Sequence, residues 1–210
     1  MINVCAKCGQ YCVEKEIDPS GPYAICPHCG HRHPFRQLPL FVLTGASAAG
    51  KSTINVMLPA VMSECVFIES DILWSPAFAD SDDDYHDYWD TWLRVAKNIS
   101  QGGRPVVICG SARPEQLESC PERRYFADIH YMALVCEPHE LRRRLKRRPS
   151  WRNSADDNVI EQMMQFNAWF KKNAAQTTPP MSLLDTTYLS VKESVREVMR
   201  WIHYRLPGEH

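Results

Sequence analysis

Among these 210 residues no apolar run approaches the ~18 that a membrane-spanning helix needs. There is no excess of charge of either sign: 24 Lys and Arg stand against 25 Asp and Glu, a formal net charge of −1. Nothing global therefore marks the chain for nucleic acid or an anionic membrane surface. Internal repeats and low-complexity tracts are also missing. With 44% hydrophobic and 23% charged residues, the composition excludes disordered and fibrous classes. Residues Met1 to Gln10 carry Asn3, Lys7 and two cysteines where a secretory signal would place an apolar stretch. A soluble, cytoplasmic protein with one ordinary domain and a small appendage is expected.

Nine cysteines are present, and four have informative spacing. Cys5 and Cys8 form one C-x-x-C pair and Cys26 and Cys29 another, with 17 residues between the pairs. That is the spacing of a four-thiolate zinc site. Gly9 and Gly30 follow the pairs and permit tight turns. Four thiolates leave tetrahedral zinc no open position, so the site is expected to be structural. Some thirty residues bury too little core to fold unaided, and the metal would supply folding free energy. The competing reading, two disulfides, is disfavoured in a reducing compartment. Cys12, His28, His31 and His33 lie nearby as substitute ligands. Cys109 and Cys136 sit in apolar runs and read as small core residues. Pro34 to Pro39 reads as the exit linker.

Phe41 to Thr44 is a short apolar strand that runs directly into Gly45-Ala46-Ser47-Ala48-Ala49-Gly50-Lys51-Ser52, a complete G-x-x-x-x-G-K-[ST] loop, with Thr53 opening the helix beyond. The glycines let backbone amides turn inward, and the helix that follows sets its positive end on the phosphates. Lys51 can reach the β- and γ-phosphates and the Ser52 hydroxyl can ligate Mg²⁺. ATP and Mg²⁺ are thus expected ligands, and Pro59 should end the helix.

Further strands are expected at 66–69, 105–109, 129–135 and 183–187, alternating with helices. That pattern predicts an α/β fold: a parallel five-stranded sheet with helices on both faces. No Asp or Glu ends the strand at 105–109, which disfavours motor ATPases. Residues 80 to 90 hold six aspartates among Tyr85, Tyr88 and Trp89, and predict an acidic start to a long amphipathic helix ending near Gly102. An acidic, aromatic patch of that kind would suit a polar or cationic ligand. Seven basic side chains fall within 142–152. Residues 156–175 and 191–205 read as amphipathic helices.

From about Leu40 to Arg205 the chain resembles P-loop kinases of the adenylate, shikimate and gluconate kinase type. The resemblance rests on the phosphate loop, on Ser70-Asp71 after the second strand, on Arg113 after the third, and on Arg144-Leu145-x-x-Arg148. It implies a three-layer P-loop NTPase fold with strand order 2-3-1-4-5, preceded by a zinc ribbon: residues 1–36 for the ribbon, 37–210 for the kinase domain, with a lid around 142–155. It further implies that Asp71 orients and deprotonates an acceptor hydroxyl, and that Arg113 contacts the acceptor. Arg144 would lie towards the nucleotide base, with Arg148 and Arg152 on the transferring phosphates. Glu69 is placed to hold a water on Mg²⁺. The resemblance suggests ATP-dependent phosphorylation of a small hydroxylated molecule (a metabolite, nucleoside or antibiotic-like compound). Two other readings stand beside it: a nucleotide or polynucleotide-end kinase whose ribbon holds nucleic acid, and a non-enzymatic ATP-binding regulatory module. Neither the acceptor nor the oligomeric state is written in these motifs.

Overall fold

A computed structural model describes residues 2–78, 83–149 and 154–206. Two sheets organise it. Strands β1 (Glu16–Asp18), β2 (Tyr23–Ile25) and β3 (Arg32–Pro34) form a small antiparallel sheet in chain order. Strands β4 (Leu40–Gly45), β5 (Val66–Glu69), β6 (Val106–Cys109), β7 (Ile129–Val135) and β8 (Ser182–Asp185) form a parallel sheet in the order β5-β6-β4-β7-β8. This is the 2-3-1-4-5 order that the resemblance implied.

The helices are α1 (Lys51–Met57), α2 (His86–Ser100), α3 (Pro114–Glu118), α4 (Pro138–Lys146), α5 (Asp157–Asn173) and α6 (Val191–His203). Strand β4 is buried along its whole length, and its side chains alternate between two cores. Leu40 and Val42 pack with Trp92, Leu93 and Phe170 from α2 and α5, whereas Phe41 and Leu43 pack with Ile54, Val198 and Ile202 from α1 and α6. The result is three layers. Pro59 follows the end of α1 inside a 3₁₀ turn, as expected from its missing amide. Helix α6 starts with a reciprocal Ser190–Glu193 capping box.

Helix α2 begins at His86, later than the acidic run predicted. Asp84 (φ 47°) and Tyr85 (φ 61°) both adopt the left-handed conformation, so the chain turns before the helix starts. The first part of that run, Asp80 and Asp82, lies outside the described residues.

The small sheet is tied to the large one through buried charge. Glu122, fully buried, accepts from Lys97 Nζ on α2, from Arg94 Nε at 3.0 Å and from Asn3 Nδ2 at 3.1 Å. Lys97 also donates to Asn3 and sits 4.0 Å from the centre of the Tyr125 ring. Tyr125 in turn joins Ile2, Ala24 and Phe35 in an apolar cluster. Removing one member of such a network strands the other charge away from water, which costs more than losing an exposed pair. Glu122→Ala should therefore lower unfolding free energy in urea by about 3–5 kcal/mol. By contrast Glu197→Ala, which breaks the exposed pair with Arg200, should cost below about 0.5 kcal/mol.

Candidate active site

At the carboxyl ends of β4, β5 and β6 the sequence motifs converge. Gly45 ends β4 with φ 137°, and a Cβ there would lie 2.3 Å from the Leu134 carbonyl oxygen of β7. No other residue fits against that strand. Next door, Thr44 Oγ1 donates to Ala112 O at 2.7 Å and accepts from Ala112 N at 2.9 Å, which fastens the β6 loop to β4. Ser111 Oγ donates to Gly45 O at 3.1 Å.

The phosphate loop encloses a cavity of 510 Å³ whose lining includes Ser47 to Thr53, Glu69, Asp71, Arg144 and Arg148. Gly45 and Ala46 form the loop's buried base, with Ala46 packed against Cys136, Leu141 and Leu145. Lys51 Nζ donates to their carbonyls at 2.7 and 3.0 Å. Burial pushes the Lys51 ammonium below the ordinary lysine value, against the opposing pull of Asp71 and Glu69.

Glu69, which pairs in register with Cys109 of β6, accepts from the Ser52 hydroxyl at 2.9 Å. The end of β6 carries no carboxylate, whereas the neighbouring strand β5 ends in Glu69. Ser52, Glu69 and Asp71 are hard oxygen donors lining one cavity, and that donor set fits Mg²⁺.

Arg144 reaches the loop from α4. It donates to Glu140 at 2.7 Å, Thr186 Oγ1 at 3.0 Å and Thr186 O at 2.8 Å. Hydrogen bonds from Arg143 and Arg144 bring the Glu140 carboxyl down to about 2. Arg148 lines the same cavity, whereas Arg152 lies outside the described residues. Arg113 is elsewhere: it lines an adjoining cleft of 880 Å³ and donates through Nη2 to both oxygens of Asp84, at 2.8 and 2.7 Å. The two cavities share Asp71 and Ser111.

Sequence reasoning missed Glu140 and the cleft rings Trp74, Phe166 and Trp169, whereas Tyr85, Tyr88 and Trp89 belong to the acidic, aromatic patch it singled out. Phe166 and Trp169 follow a helical apolar spacing that reads as core, yet of the three α5 rings only Phe170 is fully buried. Asn167 is buried and clamps the backbone of Cys136 through both N–H and C=O. Cys109 and Cys136 are fully buried, and burial raises both thiols.

In the small sheet, the Sγ atoms of Cys5, Cys8, Cys26 and Cys29 all lie within 4.8 Å of one another. Cys5–Cys29 and Cys8–Cys26 separations are 3.7 and 3.8 Å. Thiolates on tetrahedral zinc at about 2.3 Å stand roughly 3.8 Å apart. Each pair forms the same knuckle, in which Gly9 N or Gly30 N donates to Cys5 O or Cys26 O at 2.9 Å. Burial opposes ionisation of Cys5, but hydrogen bonds from the Cys8 amide, the His33 ring and the Lys7 amide outweigh it and lower the thiol to about 5. The four-cysteine cluster fits a zinc ribbon.

This architecture is that of the P-loop kinases. A gluconokinase from Sinorhizobium meliloti 1021 superposes with a TM-score of 0.59 at 17% identity, covering 80% of this chain and 94% of that one. A sugar kinase from Janibacter sp. HTCC2649 gives 0.58 at 13%, covering 81% and 96%. A shikimate kinase from Acinetobacter baumannii in complex with shikimate gives 0.52 at 14%, covering 80% and 94%. No protein-family model matches the sequence, and no curated protein is similar to it. Among the described residues no helix is long and apolar enough to cross a membrane.

Glu140 supplies a test of the loop-side electrostatics. Its folded value lies below the unfolded 4.5, so its pairing stabilises the fold fully above that pH and is lost as pH falls towards about 2. The difference in urea midpoint between wild type and Glu140→Gln should be constant above pH 4.5 and shrink below it. A difference that grows on acidification would mean that the arginines do not hold this carboxylate.

Proposed function

We propose that the chain is an ATP-dependent phosphotransferase that moves the γ-phosphate to a hydroxyl group of a small molecule. One observation carries the reading: Asp71 lines both the phosphate-loop cavity and the adjoining cleft. A carboxylate at that junction can address an alcohol on one side and a phosphoryl group on the other, which a purely ATP-binding module does not require. The fold likeness to small-molecule kinases supports the same class.

Lys51 would exchange its two loop carbonyls for phosphate oxygens, with the loop amides of 47–53 completing the cradle. Ser52 and Glu69 would hold Mg²⁺, which when bound neutralises charge on the β–γ oxygens. Asp71 orients the acceptor hydroxyl and takes its proton. Alignment is the larger part of the work, because phosphoryl transfer needs little covalent help. Arg148 would stabilise charge on the phosphoryl group, and Arg144, fixed by Glu140 and Thr186, would face the nucleotide base. Arg152 is assigned with Arg148 from the sequence motif, in a lid around 142–155.

In this reading residues 1–36 are a zinc ribbon and 37–210 the kinase domain. Cys5, Cys8, Cys26 and Cys29 would hold a structural Zn²⁺, a donor set that suits the reducing cytoplasm. The buried Asn3–Lys97–Glu122 network supports a docked, structural ribbon over one that holds nucleic acid.

Lys51→Ala should abolish phosphate transfer and weaken ATP binding. Asp71→Asn should lower transfer by a factor of about 10²–10⁴ and leave ATP affinity within about threefold, as titration calorimetry would read it. Equal loss of ATP binding in Asp71→Asn would move its role to the metal or the fold. Elemental analysis of reduced protein should find one zinc per chain, and Cys26→Ser should lower both zinc content and melting temperature. Full stability without zinc would remove the metal from the account.

A further inference from the structure

The 880 Å³ cleft beside Asp71 has a chemistry of its own. Rings come from two parts of the chain. Trp74, Tyr85 and Tyr88 come from the segment after β5 and the start of α2, with Trp74 5.9 Å from Tyr85 and 5.4 Å from Tyr88. Phe166 and Trp169 come from α5 and are stacked at 28°, 6.5 Å apart. Trp74 remains 49% exposed, a large aromatic surface left to water at the cleft. Rings supplied from two elements suit a flat, apolar-faced ligand.

Charge among the described lining residues disfavours one class of acceptor. Among the described lining residues, Asp71 and Asp84 are the anions and Arg113 the cation. That cation is already matched, because both Asp84 oxygens accept from it and Gln116 Nε2 donates to Asp84 Oδ1 at 2.9 Å. A carboxylate-bearing acceptor would meet the Asp71 carboxylate and an arginine already paired with Asp84. The same lock holds the left-handed turn at Asp84 and Tyr85 and so presents the Tyr85 ring. Arg113, expected at the acceptor, lines this cleft with its guanidinium paired to Asp84.

Polarity supplies the last feature. Gln162, exposed on α5, lines the cleft and has no hydrogen-bond partner among the described residues. A carboxamide presents a donor and an acceptor in one plane, the arrangement that reads a nucleobase edge.

We propose that the acceptor is an uncharged nucleoside, its base taken up by the aromatic cleft and its sugar hydroxyl meeting Asp71. This rests on the phosphotransferase reading of the same site. The hydroxyl oxygen forms a bond to the γ-phosphorus, the β–γ bridging P–O bond breaks, ADP leaves, and the hydroxyl proton passes to Asp71 and then to solvent. Sugar acids would be disfavoured by Asp71, with the Arg113 guanidinium taken up by Asp84.

The test uses the full, zinc-loaded chain with a non-hydrolysable ATP analogue. Tryptophan fluorescence is read on titration with adenosine, guanosine, cytidine, uridine and their deoxy forms, and with gluconate and shikimate; turnover with ATP is read by mass shift. At least one nucleoside should quench fluorescence and gain a phosphoryl group, with the sugar acids bound at least about tenfold more weakly. Trp169→Ala should weaken nucleoside binding by about tenfold to a hundredfold. Gln162→Ala, on an exposed helix face, should weaken it by at least about fivefold without touching the fold. Asp84→Asn, which releases Arg113, should improve gluconate binding. If no nucleoside binds, or gluconate or shikimate is the one phosphorylated, the nucleoside assignment is overturned while the kinase reading stands. Failure to bind ATP, or transfer that survives Lys51→Ala, overturns the kinase reading itself.

Discussion

The tight approach of Gly45 to the β7 backbone is the constraint on which the site depends. Strand β4 runs in register between β6 and β7, so the three strands end together. At that end the missing side chain of Gly45 lets the chain leave β4 against Leu134 and turn at once into the phosphate loop. Thr44 and Ser111 then tie the loop after β6 to the end of β4. Loops that follow parallel neighbouring strands must open on one edge of the sheet, which is why nucleotide sites of such folds lie there. Asp71, Glu69 and Lys51 are neighbours for that reason, although up to 20 residues separate them.

Buried charge does a second job. Glu122, Lys97, Arg94 and Asn3 satisfy one another where the ribbon meets α2. Helix α2 also carries Tyr88 and Trp89 into the cleft beside Asp71. The ribbon therefore bears on the helix that walls this cleft, and a metal that folds the ribbon would also steady that wall. A matched network of this kind adds little net stability over apolar packing but tolerates one arrangement only.

Legibility in the sequence followed the range of the interaction. The phosphate loop, the cysteine pairs and strands β4 and β7 were readable because each is specified by residues within a few positions of one another. The stop at Pro59 is local in the same way. Arg113 shows the opposite case. Its place after β6 was readable, but Asp84, 29 residues earlier, claims its guanidinium. Trp169 likewise has the spacing of a core residue, and its part in the cleft depends on α5 lying across from α2. Glu69 reaches Ser52 because β5 pairs with β6 in a register that no local pattern records.

By itself the sequence determined the element types, the phosphate-binding turn and the thiolate set, since dihedral preferences, hydrophobic period and ligand spacing act over a single turn or strand. Tertiary structure alone decided which carboxylate pairs with Arg113, which rings meet and which carboxylate borders both cavities. Those outcomes depend on distances between side chains remote in the chain, and such distances are set only when the sheet assembles and its helices pack against it.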